Sequence, residues 1–193
     1  MTTSTPPAAP RIYTIGHSNH ALERFLALLR DHAVDLVAGA RSQPYSRRVP
    51  HFGRERLLHS LEATGLRYRF VGAALGGRPP QPECYDARGH VLYATLAASR
   101  GFREGIEELE RDAARCRVAV LCSEEDPGHC HRKLLVARVL AARGVEVLHL
   151  RGDGRVEAEP APDAAAAATA QLALFADASG AVWRSTRPVR ARR

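Results

Sequence analysis

Long hydrophobic runs are missing from this chain: no stretch approaches the roughly 18 uninterrupted apolar residues a helix needs to cross a bilayer, which excludes an ordinary membrane-spanning protein. Cysteine is scarce. Cys84, Cys116, Cys122 and Cys130 are too few and too scattered for the disulfide framework of a small secreted domain. The N-terminal MTTSTPPAAP has neither the positive head nor the apolar run of a secretory signal. A cytoplasmic, bacterial-type protein with reduced thiols is the simplest expectation. Lysine is almost absent as well, Lys133 being the only one. The net charge of +7 and pI near 9.8 are therefore carried by arginine. Such a charge suits a polyanionic partner, but an Ala- and Arg-rich composition also follows from a GC-biased genome. Clustering, not total charge, makes a binding surface.

With 193 residues and 45% hydrophobic content, the chain can fill the core of one domain of ordinary size. Residues 1 to 10, rich in Pro, Thr and Ala, are expected to be disordered. Arg11 to Ile15 reads as a strand opening onto Gly16-His17-Ser18-Asn19, where Ser18 or Asn19 is placed to cap the next helix. Leu22, Phe25, Leu26 and Leu29 stripe that helix. Val34 to Ala38 suits a buried strand. A second helix carries Leu57, Leu58 and Leu61 and stops at Gly65, and Leu66, Tyr68 and Phe70 mark a third strand. Gly72 to Gly89, rich in Gly and Pro, reads as a long loop. A helix around Phe102, Ile106 and Leu109 leads to the strand Val118 to Leu121. Leu134, Leu135, Val139 and Leu140 stripe another helix, and Val145 to Leu150 is the last strand.

This alternation predicts an α/β fold: a three-layer, Rossmann-like domain over residues 11–151, with a mostly parallel sheet of about five strands and helices on both faces. Residues 152–193 form an Ala-rich, basic tail, with a marginal helix over 157 to 178 and solvated arginines at 184, 187, 190, 192 and 193. Ligands of such folds bind beyond the carboxyl ends of the strands. Three polar clusters fall there: His17-Ser18, Arg41 to Arg48, and Cys122 to Arg132. They share a pocket if their strands are neighbours.

The segment from Cys122 to Arg132 gathers thiol, imidazole, carboxylate and guanidinium groups into eleven residues. Three chemistries fit. Cys122 or Cys130 can act as a nucleophile with a histidine base, since only the thiolate attacks well and a helix start, His131 and Arg132 favour it. The loop can instead bind an anion through Arg132 and backbone N–H groups. Cys122, His129, Cys130 and His131 are also candidate zinc ligands, although adjacent ligands strain a tetrahedral site; no cofactor is expected. Cys122 as a strand-end core residue and His131 as a helix cap is the plain structural alternative. Absent motifs narrow the field: there is no GxxxxGK[ST] loop, no dinucleotide glycine fingerprint, no Gly-x-Ser-x-Gly elbow and no HxE with PCxxC. Cys122 has no arginine six positions on, so a tyrosine-phosphatase loop does not fit.

Four blocks, Thr14-Ile-Gly-His17-Ser18, Arg41-Ser-Gln-Pro44-Tyr-Ser46-Arg47, Leu75-Gly76-Gly77 and Cys122-Ser-Glu124-Glu-Asp126-Pro-Gly-His-Cys130-His131-Arg132, resemble the signature of the domain of unknown function 488 (DUF488) family. They run in the family's order across residues 11 to 151. The resemblance implies little about activity, because that family is largely uncharacterised. It also exposes a departure: where the family usually reads Asp-Val-Arg, this chain has Gly39-Ala40-Arg41. The missing carboxylate removes a candidate acid, metal ligand or arginine partner.

The favoured expectation is an enzyme, a hydrolase or transferase, acting on a phosphate-bearing small molecule such as a nucleotide, or on nucleic acid. His17, Cys122, Glu124 and His131 are its candidate catalytic residues. Ser18, Arg41, Ser46, Arg47, Cys130 and Arg132 are its candidate anion- or substrate-binding residues. Gly76 and Gly77 would let backbone approach a ligand, and Tyr85 and His90 are weaker candidates. The rival is a non-catalytic nucleic-acid-binding module that uses the arginine clusters and the tail.

Overall fold

A computed structural model describes residues 10–160 and 182–189. Apolar residues dictate its frame. In β1 (Arg11–Gly16) every residue but Arg11 is buried, and β2 (Leu36–Gly39) and β4 (Val118–Cys122) are buried throughout. Strands this apolar need cover on both sides, which a parallel sheet with crossover helices supplies. The sheet has six strands in the order β3-β2-β4-β1-β5-β6, with β3 (Arg67–Phe70) and β5 (Glu146–Leu150) parallel to their neighbours. The edge strand β6 (Val156–Ala158) is antiparallel. Along β4, Val118 and Val120 enter one hydrophobic cluster while Ala119 and Leu121 enter another, as period-2 alternation requires. The second cluster holds Phe25, Leu28 and Leu29 of α1 (Leu22–Asp31) and Leu57 and Leu61 of α2 (Arg54–Glu62). The first takes Leu75 of the one-turn α3 (Gly72–Leu75), Leu96 of α4 (Tyr93–Ala98), Phe102, Ile106 and Leu109 of α5 (Arg100–Ala113) and Leu140 of α6 (Arg138–Ala142).

Several expectations are corrected. The sixth strand comes from the stretch read as tail: Val156 to Ala158 pair with Leu150 to Leu148. Beyond it His149, fully buried, lies 2.7 Å from both Thr14 Oγ1 and Glu159 Oε2, tying β5 to β1 and to the chain leaving β6. Residues 1–9, the alanine-rich stretch from 161 and Arg190, Arg192 and Arg193 lie outside the described residues. The Gly72–Gly89 segment is not an open loop, since it carries α3, a 3₁₀ turn at Pro82–Cys84 and the Tyr85–Val91 bridge. Neither Ser18 nor Asn19 caps α1. A turn closed by His20 N–H on the His17 carbonyl intervenes, the N-cap is Ala21, and Ser18 sits at φ 45°. Among the described residues no helix is long and apolar enough to cross a membrane.

Candidate functional site

Strand order brings three loops together. β2, β4 and β1 are adjacent, and Gly16 stands in register with Cys122. His17 N–H bonds the Cys122 carbonyl and Ala40 N–H the Leu121 carbonyl, so the chain leaves these strands still laced to its neighbours. Beyond their carboxyl ends opens a cleft of about 490 Å³, with Cys122, Cys130, His131, Arg41 and Glu124 among its walls.

The thiol end is the most organised part. Cys122 is 6% and Cys130 2% exposed. His131 Nε2 donates to the Ala40 carbonyl at 3.2 Å, which turns Nδ1 toward the thiols. That nitrogen lies 3.6 Å from Cys122 Sγ and 3.9 Å from Cys130 Sγ. The Cys130 thiol, donating to Cys122, lowers the Cys122 pKa to about 7; Arg132 and the N–H groups of Ser123 and Glu124 add to this, and burial opposes it. The same bond, with burial, pushes Cys130 up and keeps it protonated. The three ligand atoms of Cys122, Cys130 and His131 lie within 4.8 Å of one another, so this cluster could hold a metal ion. His129 is not part of it, although it lines the cleft.

Arginines surround the thiols in two ways. Arg132, fully buried, donates to the carbonyls of Glu124 and, at 2.6 Å, of Glu125. It shapes the cysteine loop from within and does not line the cleft, contrary to the anion-binding role expected of it. Arg151 clamps the same loop through Glu125 at 2.8 and 3.1 Å. Arg41 does line the cleft, though only 4% exposed. One guanidinium nitrogen donates to His17 Nε2 at 3.0 Å and another to the Phe52 carbonyl at 2.5 Å, while Nε has no partner. No carboxylate pairs with it among the described residues.

The remaining sequence candidates fall elsewhere. His17 is buried behind Arg41, stacked on Phe52 at 4.4 Å between ring centroids, with Nδ1 donating to the Ser18 carbonyl. Burial and Arg41 lower its pKa to about 4, so it is a neutral acceptor that orients Arg41. Ser18, Ser46 and Arg47 do not line the cleft; the Ser46 hydroxyl accepts from Val49 N–H at 3.2 Å, and Arg47 is exposed. Gly77 serves packing, since a Cβ there would come within 2.7 Å of the His131 ring. At Gly39 the Tyr68 hydroxyl crowds the place a Cβ would take. Tyr85 OH bonds the Pro79 carbonyl and His90 the Ser185 carbonyl.

Sequence reasoning missed Arg78, Tyr93 and residues 185–189, all on the cleft wall. The sole tryptophan, Trp183, in a stretch otherwise read as solvated, was the available signal for the last of these. The family model described as Domain of unknown function DUF488 matches residues 21–139, well over half of the chain. No curated protein and no solved structure matches it significantly.

Proposed function

The chain belongs to the DUF488 family, and on that premise we propose that it is a thiol-dependent hydrolase or transferase acting on a phosphate-bearing substrate, with a nucleotide as the favoured carrier. The observation that carries this reading is the buried Arg41 cation, without a carboxylate among the described residues, beside a thiol whose pKa is held near 7. A guanidinium removed from water and left unpaired is costly. An anion in the cleft, together with the Cys122 thiolate, supplies its counter-charge. Tyr45, 74% exposed on the cleft, offers a face for a base. The two core clusters divided by β4 support a three-layer, Rossmann-like frame, in which binding at the strand carboxyl ends is the rule.

In this mechanism His131 Nδ1 accepts the Cys122 proton. Sγ forms a bond to the electrophilic atom of the substrate as the bond to the leaving group breaks, and the leaving group takes the proton from His131. Water or a second acceptor hydroxyl then attacks the same atom as its bond to Sγ breaks. The proton lost by the attacking oxygen returns through His131 Nδ1 to the departing Cys122 thiolate. Arg41 holds the anionic group, His17 and Phe52 hold Arg41, and Arg132 holds the loop.

Iodoacetamide labelling with mass spectrometry tests this reading. At pH 7 Cys122 should be alkylated faster than Cys116, although Cys116 is the least buried of the four thiols, and inorganic phosphate should slow the reaction. Labelling ranked by exposure alone would overturn it. A second reading rests on the two Sγ–Nδ1 separations, close to the edge of about 3.5 Å that zinc–sulfur and zinc–nitrogen bond lengths imply for a tetrahedron. There Cys122, Cys130 and His131 would hold zinc, which would supply Lewis-acid chemistry at the cleft. Stoichiometric zinc in protein purified without chelators, and labelling of Cys122 only after chelation, would favour that reading over the first.

A further inference from the structure

Residues 182–189 lie outside the stretch that the family model matches, yet Ser185 to Val189 form part of the cleft wall. This segment is fixed, not draped. Trp183 is 4% exposed, donates its indole N–H to the Leu134 carbonyl at 2.7 Å and stacks under the Arg138 guanidinium at 4.5 Å. The Ser185 hydroxyl accepts from Val91 N–H at 3.0 Å and donates to the Arg187 carbonyl at 2.7 Å, while Ser185 N–H reaches the Val91 carbonyl. Arg184 pairs with Asp86 at 2.6 Å, and Val189 N–H bonds the Gly89 carbonyl at 2.8 Å. The result is a short strap whose backbone is held on both sides of Arg187. The Arg187 side chain is exposed on the cleft, and among the described residues it has no carboxylate partner. Arg78, also on the cleft, is in the same condition.

We infer that the strap builds a second anion subsite with Arg187 as its contact, so that the substrate carries two anionic groups in the manner of a diphosphate. The first group sits at Arg41 beside Cys122 and the second at Arg187. This rests on the function proposed above. Two carboxylates face the same cleft, but one is engaged: Asp126 accepts from Gly128 N–H and lies 4.0 Å from Arg151. Among the described residues that leaves Glu124, with the Cys122 thiolate, against the three arginines Arg41, Arg78 and Arg187. A solvated tail has no need of its own buried tryptophan, whereas a subsite needs its cation on fixed backbone.

The full chain is labelled with iodoacetamide at pH 7 in the presence of inorganic phosphate or inorganic pyrophosphate, and the protecting concentrations are compared. Pyrophosphate is expected to protect Cys122 at concentrations about tenfold lower than phosphate, a difference of one charge-assisted contact. Arg187→Ala should erase that advantage and leave protection by phosphate unchanged, and Arg187→Lys should restore part of it. Because Arg187 is exposed, its variants should melt with the parent. An Arg187→Ala chain that keeps the full pyrophosphate advantage overturns the strap subsite and leaves the proposed function standing. Absence of protection by either anion in the unaltered chain overturns both.

Discussion

Burial by itself raises the pKa of a thiol, so the value near 7 at Cys122 depends on specific donors, the Cys130 thiol first among them. Two consequences are measurable. The rate of Cys122 alkylation should climb with pH through a midpoint of about 7. In Cys130→Ala that midpoint should move upward, toward the range of an ordinary thiol. An unchanged midpoint would mean that Cys130 contributes nothing. The sequence offered either cysteine as nucleophile and set Cys122 with the catalytic candidates and Cys130 with the binding ones. It could not give Cys130 its part as donor to Cys122, because which thiol donates depends on how the loop returns over the end of β4. The same limit applied to the arginines. Arg41 and Arg132 read alike in sequence, but one faces the cleft and the other is spent on the carbonyls of Glu124 and Glu125.

Elements set how close those groups can come. Gly16 ends β1 directly under the cysteine loop, and a Cβ there would overlap the Glu124 carbonyl and lie 2.9 Å from an Arg132 guanidinium nitrogen. Gly16→Ala should therefore destabilise the fold by about 3 kcal/mol or more, as overpacking against backbone does, measured by urea unfolding. The strap gives a complementary case. Trp183→Ala should raise amide exchange across 184–189 while the amides of β1, β2 and β4 keep their protection, because the loss is local. Trp183 packs at the margin of the cluster that holds Phe102 and Ile106, and uniform loss of protection would overturn the local reading. Most strands and helices were legible from periodicity, within a few residues at their ends. The three-residue β6 and the strap were not: short segments bearing one or two apolar residues carry no period to read.

For the molecule as a whole, the buried neutral His17 links stability to pH. Its folded pKa, about 4, lies below the ordinary 6.5. Between those values the unfolded chain binds a proton that the folded chain refuses, so the contribution is full above about pH 6.5 and is lost as pH falls through 4. The loss is about 3 kcal/mol, since each pH unit between the two values costs about 1.4 kcal/mol. Unfolding free energies measured from pH 7 to pH 4 should fall accordingly, and His17→Gln should flatten that part of the profile. A parallel profile in the variant would remove His17 as its source. The net charge of +7 belongs to this scale too. A charge of that size would speed encounter with any polyanion without choosing among them.

By itself the sequence determined the α/β alternation, the three polar clusters at strand ends and the membership of a family, since all three are local patterns of residue type. It could not order the strands. Only the tertiary structure made β2, β4 and β1 neighbours, turned His17 inward to hold Arg41, buried Arg132 inside the loop and brought residues 182–189 back onto the cleft. Those choices follow from long-range burial and from satisfying buried donors and acceptors, which involve partners far apart in the chain and leave no periodic trace along it.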